Sequence, residues 1–339
     1  MTELKRFFQD LTLGRPQNVG PITVVPLISD QHFSFQKPRH EDVSNRGYGN
    51  LMFKNSTPDP VLVPAHTVYM TKRQSQDHAT MEGLIVKKGE TLDYCKATCV
   101  QQSTGGMMTG SQEKVETTLP IILRERAFNK RENTGDSTGY GRLWNDITSY
   151  NAGYGIRGSG GGHYEYFYDA FEKTMDEFVA EFELVYNQVG FIVFAKNIVY
   201  GIERFPSPGY LKSYYRSLIK GCYGAAIIDL LRQADELQLK GTINVPVNMS
   251  GSVRELKRNL ARANERFDGR VKDVVTELIF GDRGKFEKSA QGHQTDFMLF
   301  ENDFFVGNVL VQADGYPYFT FVAREAQLKG VRAGREFKI

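Results

Sequence analysis

Between Gln188 and Leu231 the chain reads as an apolar run, a short polar turn, a second apolar run, a proline break, and then apolar residues at helical spacing. Val189 to Phe194 is almost continuously apolar and Ile198 to Phe205 partly alternates, so two strands joined at Lys196-Asn197 are expected. Pro206 and Pro208 end the second strand, and Ser207 is placed to cap a helix. Tyr210, Leu211, Tyr214, Tyr215, Leu218 and Cys222 then recur at intervals of about three and four residues, the pattern of a helix packed on a sheet.

The same reading extends to the rest of the chain. Pro21 to Ile28, Asn50 to Lys54, Pro60 to Met70, Leu84 to Lys87 and Asp93 to Gln101 read as short strands between turn residues. No helical pattern separates them, so antiparallel pairing is expected rather than βαβ crossovers. Gln102 to Gln112 reads as an exposed loop, and Glu132 to Gly162, with GYGR, NAGYG and GSGGGH around Trp144, as glycine-rich loops. Tyr164 to Gln188 reads as one long amphipathic helix, with Phe167, Phe171, Met175, Phe178, Phe182 and Val185 on its apolar stripe. A second, basic helix is expected over Val253 to Phe267, followed by strands at Val274 to Phe280, Thr295 to Phe300, Phe304 to Val311 and Tyr316 to Val322. The hairpins beginning at Val189 and Val306 echo each other: both start Val-Gly, run apolar, turn, and return with aromatics.

The pattern therefore predicts an α+β fold, mostly antiparallel strands and hairpins with a few long amphipathic helices on the sheet. The chain divides into a β-rich part (1–131), glycine-rich loops (132–162) and a helix–hairpin–helix part (163–339), with one composite domain as the alternative. Composition narrows the setting. The chain has 339 residues, a net charge of +2 and three cysteines, so neither bulk charge steering nor a disulfide scaffold is expected. No apolar stretch approaches the roughly 20 residues of a membrane span, and the first residues lack an apolar signal core, so a cytoplasmic protein is expected.

Candidate chemistry is sparse. Lys72, Arg73, Gln74, Asp77 and His78 form a polar turn between apolar strands, suited to ligand contacts. Gly160, Gly161 and His163 precede a helix, where backbone N–H groups can hold a phosphate, although the P-loop lysine is absent. His66, Asp77, His78 and Glu82 do not share a metal-ligand spacing, and no metal or cofactor is expected. Cys95 and Cys99 are read as two buried thiols on one strand face, and Cys222 as core. Ser103 or Ser159 with His163 and Asp146 could form a triad, but no nucleophile-elbow spacing supports it. Arg254, Arg258 and Arg262 on the basic helix complement Glu172 and Asp176 on the acidic one, a pairing suited to contacts between subunits. Without interleaved aromatics these arginines do not make nucleic acid an expected partner.

Several segments together carry a family resemblance. Ile22-Thr23-Val24-Val25-Pro26-Leu27, Pro60-Val61-Leu62 followed by Lys72-Arg73-Gln74, Ala97-Thr98-Cys99-Val100-Gln101, the hairpin and helix from Gln188 to Leu231, and the hairpin from Gly307 to Phe321 resemble the ADP-ribosylglycohydrolase- and rhodanese-phosphatase-superfamily-associated protein domain. Gln101 stands where that family usually has an acid, and aromatics replace a histidine in the last hairpin. Two functions are then expected from different classes. The first is a non-catalytic, self-assembling or interaction protein forming a homo-oligomer. The alternative, implied by the resemblance, is an enzyme or ligand sensor in ADP-ribose or NAD-linked nucleotide metabolism.

Overall fold

The computed structural model describes residues 6–19, 22–130, 139–156, 162–195, 198–226, 228, 285–288 and 296–325. The fold is α+β, and every ladder between its strands is antiparallel. The largest sheet runs β1 (Thr12–Leu13), β3 (Ile22–Ile28), β13 (Gln188–Ala195), β14 (Ile198–Arg204), β18 (Gly315–Ala323), β17 (Phe305–Gln312), β16 (Phe297–Glu301) and β15 (Lys285–Lys288), with β2 (Gln17–Val19) added along β3. Three small sheets come from the N-terminal part. They are β10 (Thr91–Tyr94), β5 (Leu51–Lys54) and β4 (Val43–Ser44); β11 (Thr98–Cys99), β8 (His78–Ala79), β7 (Thr67–Met70) and β12 (Val115–Thr118); and β6 (Val61–Val63) with β9 (Leu84–Val86). Strands from both ends of the chain thus share the largest sheet.

Four α-helices are described: α1 (Ile121–Asn129), α2 (Trp144–Gly153), α3 (Tyr164–Ala180) and α4 (Pro208–Leu218). Ser207 caps α4 as expected, its Oγ accepting from Tyr210 N at 3.2 Å. The helix then widens into a π-helical turn, Ile219–Gly224. The wider turn lets the consecutive residues Cys222 and Tyr223 both reach the same buried polar cluster. No described helix is long and apolar enough to cross a membrane.

The structure corrects several local expectations. The helix predicted over Tyr164 to Gln188 stops at Ala180, because Gln17 captures the backbone beyond it. Gln17 Oε1 accepts from Glu183 N at 2.8 Å while its Nε2 donates to Glu183 O at 2.7 Å, replacing helical hydrogen bonds. Pro60 to Met70 is two strands rather than one, since Pro64 and the left-handed His66 (φ 63°) break it. Asp93 to Gln101 likewise divides at Cys95, leaving Cys95 exposed and Cys99 buried instead of both buried on one face. The glycine-rich stretch holds the helix α2, secured by buried Leu143, Ile147 and Tyr150, the last 4.9 Å from the Phe167 ring. The basic helix at Val253 to Phe267 and the strand at Val274 to Phe280 lie outside the described residues.

The two echoing hairpins, β13–β14 and β17–β18, lie side by side, with β14 paired to β18. Their Val-Gly openings have one steric cause. A Cβ on Gly190 would come within 2.0 Å of Glu203 O, and one on Gly307 within 2.3 Å of Thr320 O. Glu203 and Thr320 are themselves directly opposite across β14 and β18.

Both residues meet Arg124 of α1, which is 1% exposed. Arg124 Nη1 donates to Glu203 Oε1 at 2.6 Å and to Cys222 Sγ at 3.3 Å, Nη2 to Thr320 Oγ1 at 2.5 Å, and Nε to His66 Nδ1 at 3.4 Å. Tyr223 adds a hydrogen bond to Glu203 Oε1 at 2.8 Å. Burial works against the guanidinium's charge, but Glu203, with Cys222 and Tyr223, more than offsets this and holds its pKa well above the ordinary value. Arg204, next in sequence to Glu203, faces the other side of the sheet and forms a forked pair with Asp10 at 2.6 and 2.5 Å.

Removing one partner of such a buried pair strands the other charge, a loss of about 3–5 kcal/mol. Arg124→Met and Glu203→Gln are each expected to lower the unfolding free energy by about that much. In urea titrations the double variant Arg124→Met/Glu203→Gln should lose clearly less than the sum of the two single losses.

Candidate functional site

β7 and β8 are joined by residues 71–77, a loop wound on its own polar groups. Asp77 Oδ1 accepts from Thr71 N at 2.8 Å, Thr71 Oγ1 accepts from Ser75 N at 3.0 Å and donates to Ser75 O at 2.9 Å, and Gln74 N donates to Thr71 O at 3.1 Å. These bonds hold Lys72 and Arg73 at φ 50° and 66°, a region non-glycine residues seldom occupy. Lys72, Arg73 and Gln74 consequently point to solvent, while Ser75, Gln76, Asp77 and His78 are buried.

The opposite wall is the start of α3. Tyr164 N donates to Val100 O at 3.0 Å, which lays the segment after β11 along residues 163–165. Two side-chain pairs follow from that alignment. Gln101 Nε2 donates to Glu165 Oε2 at 3.1 Å, and Ser103 Oγ lies 2.6 Å from His163 Nε2. Arg73 spans the two walls, donating from Nε to Glu165 Oε2 at 3.1 Å and from Nη2 to Asp169 Oδ2 at 3.2 Å. Its guanidinium also lies 5.4 Å over the Tyr166 ring, on which His163 stacks at 4.8 Å.

Beneath this surface lie polar groups with unused capacity. Gln76 Oε1, Asp77 Oδ2 and Gln101 Oε1 are buried and have no hydrogen-bond partner among the described residues. The amide nitrogens fix the orientation of both glutamines, Gln101 through Glu165 and Gln76 through Gln101 O at 3.5 Å. The two amide oxygens are acceptors, as is Asp77 Oδ2 when its carboxyl is ionised, and leaving a buried acceptor unpaired costs about 1–3 kcal/mol. Burial pushes the Asp77 carboxyl up to about 7, helped by the charge of Glu165 and opposed by the Thr71 hydrogen bonds. Burial also raises Asp169, again with Glu165, and lowers His163, so His163 is neutral near pH 7.

The predicted ligand residues therefore divide. Arg73, Asp77 and His163 converge on this site, whereas Lys72 pairs with Glu113 at 2.8 Å at the surface and Gln74 is exposed. His78 is a buried prop: its Nε2 accepts from Gly49 N at 3.2 Å and its Nδ1 lies 3.1 Å from Gln76 O. Burial holds His78 at about 4, so it stays neutral. Gly160, Gly161 and Ser159 lie outside the described residues, as do Arg254, Arg258 and Arg262. Glu172 and Asp176 are occupied within the chain by Lys220 at 3.1 and 2.9 Å, and Asp176 also by Arg216 at 2.6 Å. Asp146 pairs with Arg126 and Lys130 rather than with His163. His66 belongs to the Arg124 cluster and Glu82 lies 3.6 Å from Lys96. No group of three His, Cys, Asp or Glu among the described residues is arranged to hold a metal.

Sequence reasoning placed Gln76 within the polar turn but missed Gln101, Glu165 and Asp169 as parts of the site. Gln101 and Glu165 are 64 positions apart, and Glu165 and Asp169 read only as the acidic face of a helix. The one signal was Gln101 itself, noted as a departure within the segment that carries the sequence resemblance.

The Asp77 shift has a consequence for stability. A carboxyl whose folded pKa is raised favours the folded state while protonated, and this contribution is lost as pH rises from about 4 to about 7. Asp77→Asn keeps an acceptor for Thr71 and carries no charge. Relative to the wild type, it should gain on the order of 2–4 kcal/mol between pH 4.5 and pH 8, read from denaturant melts at both pH values.

No curated protein and no solved structure matches the chain. A family model does: ARPP-1, the ARG and Rhodanese-Phosphatase-superfamily-associated Protein domain, matches residues 10–283. The match takes in both walls of the site and stops before the β17–β18 hairpin, to which the sequence resemblance had been extended. With most of its length matched, the chain belongs to the ARPP-1 domain family.

Proposed function

We propose that the protein binds a ribose-bearing nucleotide of the ADP-ribose type where residues 71–77 meet the start of α3, and acts as a ligand sensor or enzyme on it. The observation that carries this reading is the set of buried, unpaired acceptors Gln76 Oε1, Asp77 Oδ2 and Gln101 Oε1. Acceptors call for donors, and the vicinal hydroxyls of a ribose supply two in a fixed geometry. Arg73, 58% exposed at its side chain, lies on the solvent side of Glu165, which is 8% exposed. Its displacement from the two carboxylates opens the way inward and frees a guanidinium for a phosphate. The family's description, which ties it to ADP-ribosylglycohydrolase-related proteins, agrees with this ligand class. Self-assembly, the other expectation, draws no support from its charged residues: Glu172 and Asp176 are partnered within the chain, and the arginines meant to meet them lie outside the described residues.

Isothermal titration of the full chain with ADP-ribose tests the proposal. Saturable binding is expected, with Gln101→Leu weakening it at least tenfold, on the order of 1.4 kcal/mol or more. Absence of binding at millimolar ligand, or unchanged affinity in a folded Gln101→Leu variant, would overturn it.

A further inference from the structure

The pair formed by Ser103 and His163 is unexplained by nucleotide binding alone. Ser103 is exposed, whereas His163 is 5% exposed and is the N-cap residue of α3. The hydroxyl and Nε2 are 2.6 Å apart, the reach required of a nucleophile and its base. The imidazole is fixed on both sides of its attachment. Its ring stacks on Tyr166 with an interplanar angle of 18°, and its backbone carbonyl accepts from Asn151 Nδ2 at 2.8 Å. Gly162, the residue before it, is held through its N–H by Thr148 Oγ1 at 3.0 Å. No carboxylate meets His163 Nδ1 among the described residues, so ring stacking takes the orienting role that an acid fills in a triad.

Its position supplies the substrate class. Ser103 is two residues past Gln101, and His163 two residues before Glu165, so the dyad lies one step along the same pair of segments from the acceptor cluster. We infer that Ser103 is a nucleophile activated by His163, and that it removes an acyl group esterified to a hydroxyl of the bound ligand. The nucleophile stands on the geometry of the pair; the identity of the substrate rests on the ribose-binding reading above.

The chemistry balances without a cofactor. As Ser103 Oγ bonds to the ester carbonyl carbon, its proton passes to His163 Nε2 and the carbonyl electron pair moves to oxygen. When that pair returns, the C–O bond to the sugar breaks, and the departing sugar oxygen takes the proton from His163. Water then attacks the acyl-serine in the same way, releasing the carboxylic acid and restoring Ser103. A neutral His163 serves as base at pH 7.

A fluorophosphonate probe tests the nucleophile on the full chain, because Oγ–P bond formation expels fluoride and gives an adduct readable by mass. Peptide mapping should place the adduct on Ser103. Labelling should vanish in Ser103→Ala, whose exposed position spares the fold, and should slow at least tenfold in His163→Gln. The rate should fall on acidification and be level above about pH 7. No adduct on Ser103, or labelling indifferent to His163→Gln and to pH, would overturn the inference even if ADP-ribose binds. Protection of Ser103 by ADP-ribose would support the ester substrate; labelling without protection would overturn that substrate and leave the nucleophile standing.

Discussion

The buried guanidinium of Arg124 organises the molecule. Arg124 lies where a bare charge would cost several kcal/mol, so the fold must surround it with acceptors in fixed places. Those acceptors come from the connection before β7 (His66), from β14 (Glu203), from the π-helical turn (Cys222) and from β18 (Thr320). They belong to segments far apart in the chain, and Glu203 brings the countercharge. The same demand explains two local peculiarities: the left-handed backbone at His66 and the widened turn after α4. Burial also pushes the Cys222 thiol up to about 12, so this cysteine contributes polarisable packing and no reactivity.

The region around residues 71–77 and the start of α3 is built on the opposite logic. Around Arg124 all three guanidinium nitrogens donate, to His66, Glu203, Cys222 and Thr320, whereas Gln76, Asp77 and Gln101 keep buried oxygen atoms in reserve. A polar cluster left incomplete is a poor way to gain stability and a reasonable way to hold a ligand. The strained Lys72-Arg73 backbone and the raised Asp77 pKa belong to the same bargain, in which local cost is carried by the surrounding sheets.

Much of the fold was legible from spacing alone. The β13–β14 hairpin, the Ser207 cap and the α4 stripe follow from apolar periodicity and proline placement, which are local properties. The early end of α3 was not legible, because it depends on Gln17, a residue 166 positions away that competes for the backbone of Glu183. Helix α1 was overlooked for a related reason: its central Arg124 looks like a surface residue until Glu203 and Thr320 are placed beside it. For the candidate site, the sequence singled out Arg73, Asp77 and His163 but not what joins them. Gln101 and Glu165 acquire meaning only when Val100 and Tyr164 bring their backbones together.

The adjacent residues Glu203 and Arg204 also settle a question that hydrophobicity leaves open. β14 is buried on both faces, so its apolar residues would pack almost as well if the strand slid by one position between β13 and β18. Such a slide would turn every side chain to the opposite face. Glu203 would then confront Asp10, and Arg204 would confront Arg124, two like-charge encounters away from water. The wrong alignment is excluded by repulsion as much as the right one is held by attraction, and a dipeptide of opposite charges serves as the index mark by which the central strand finds its place.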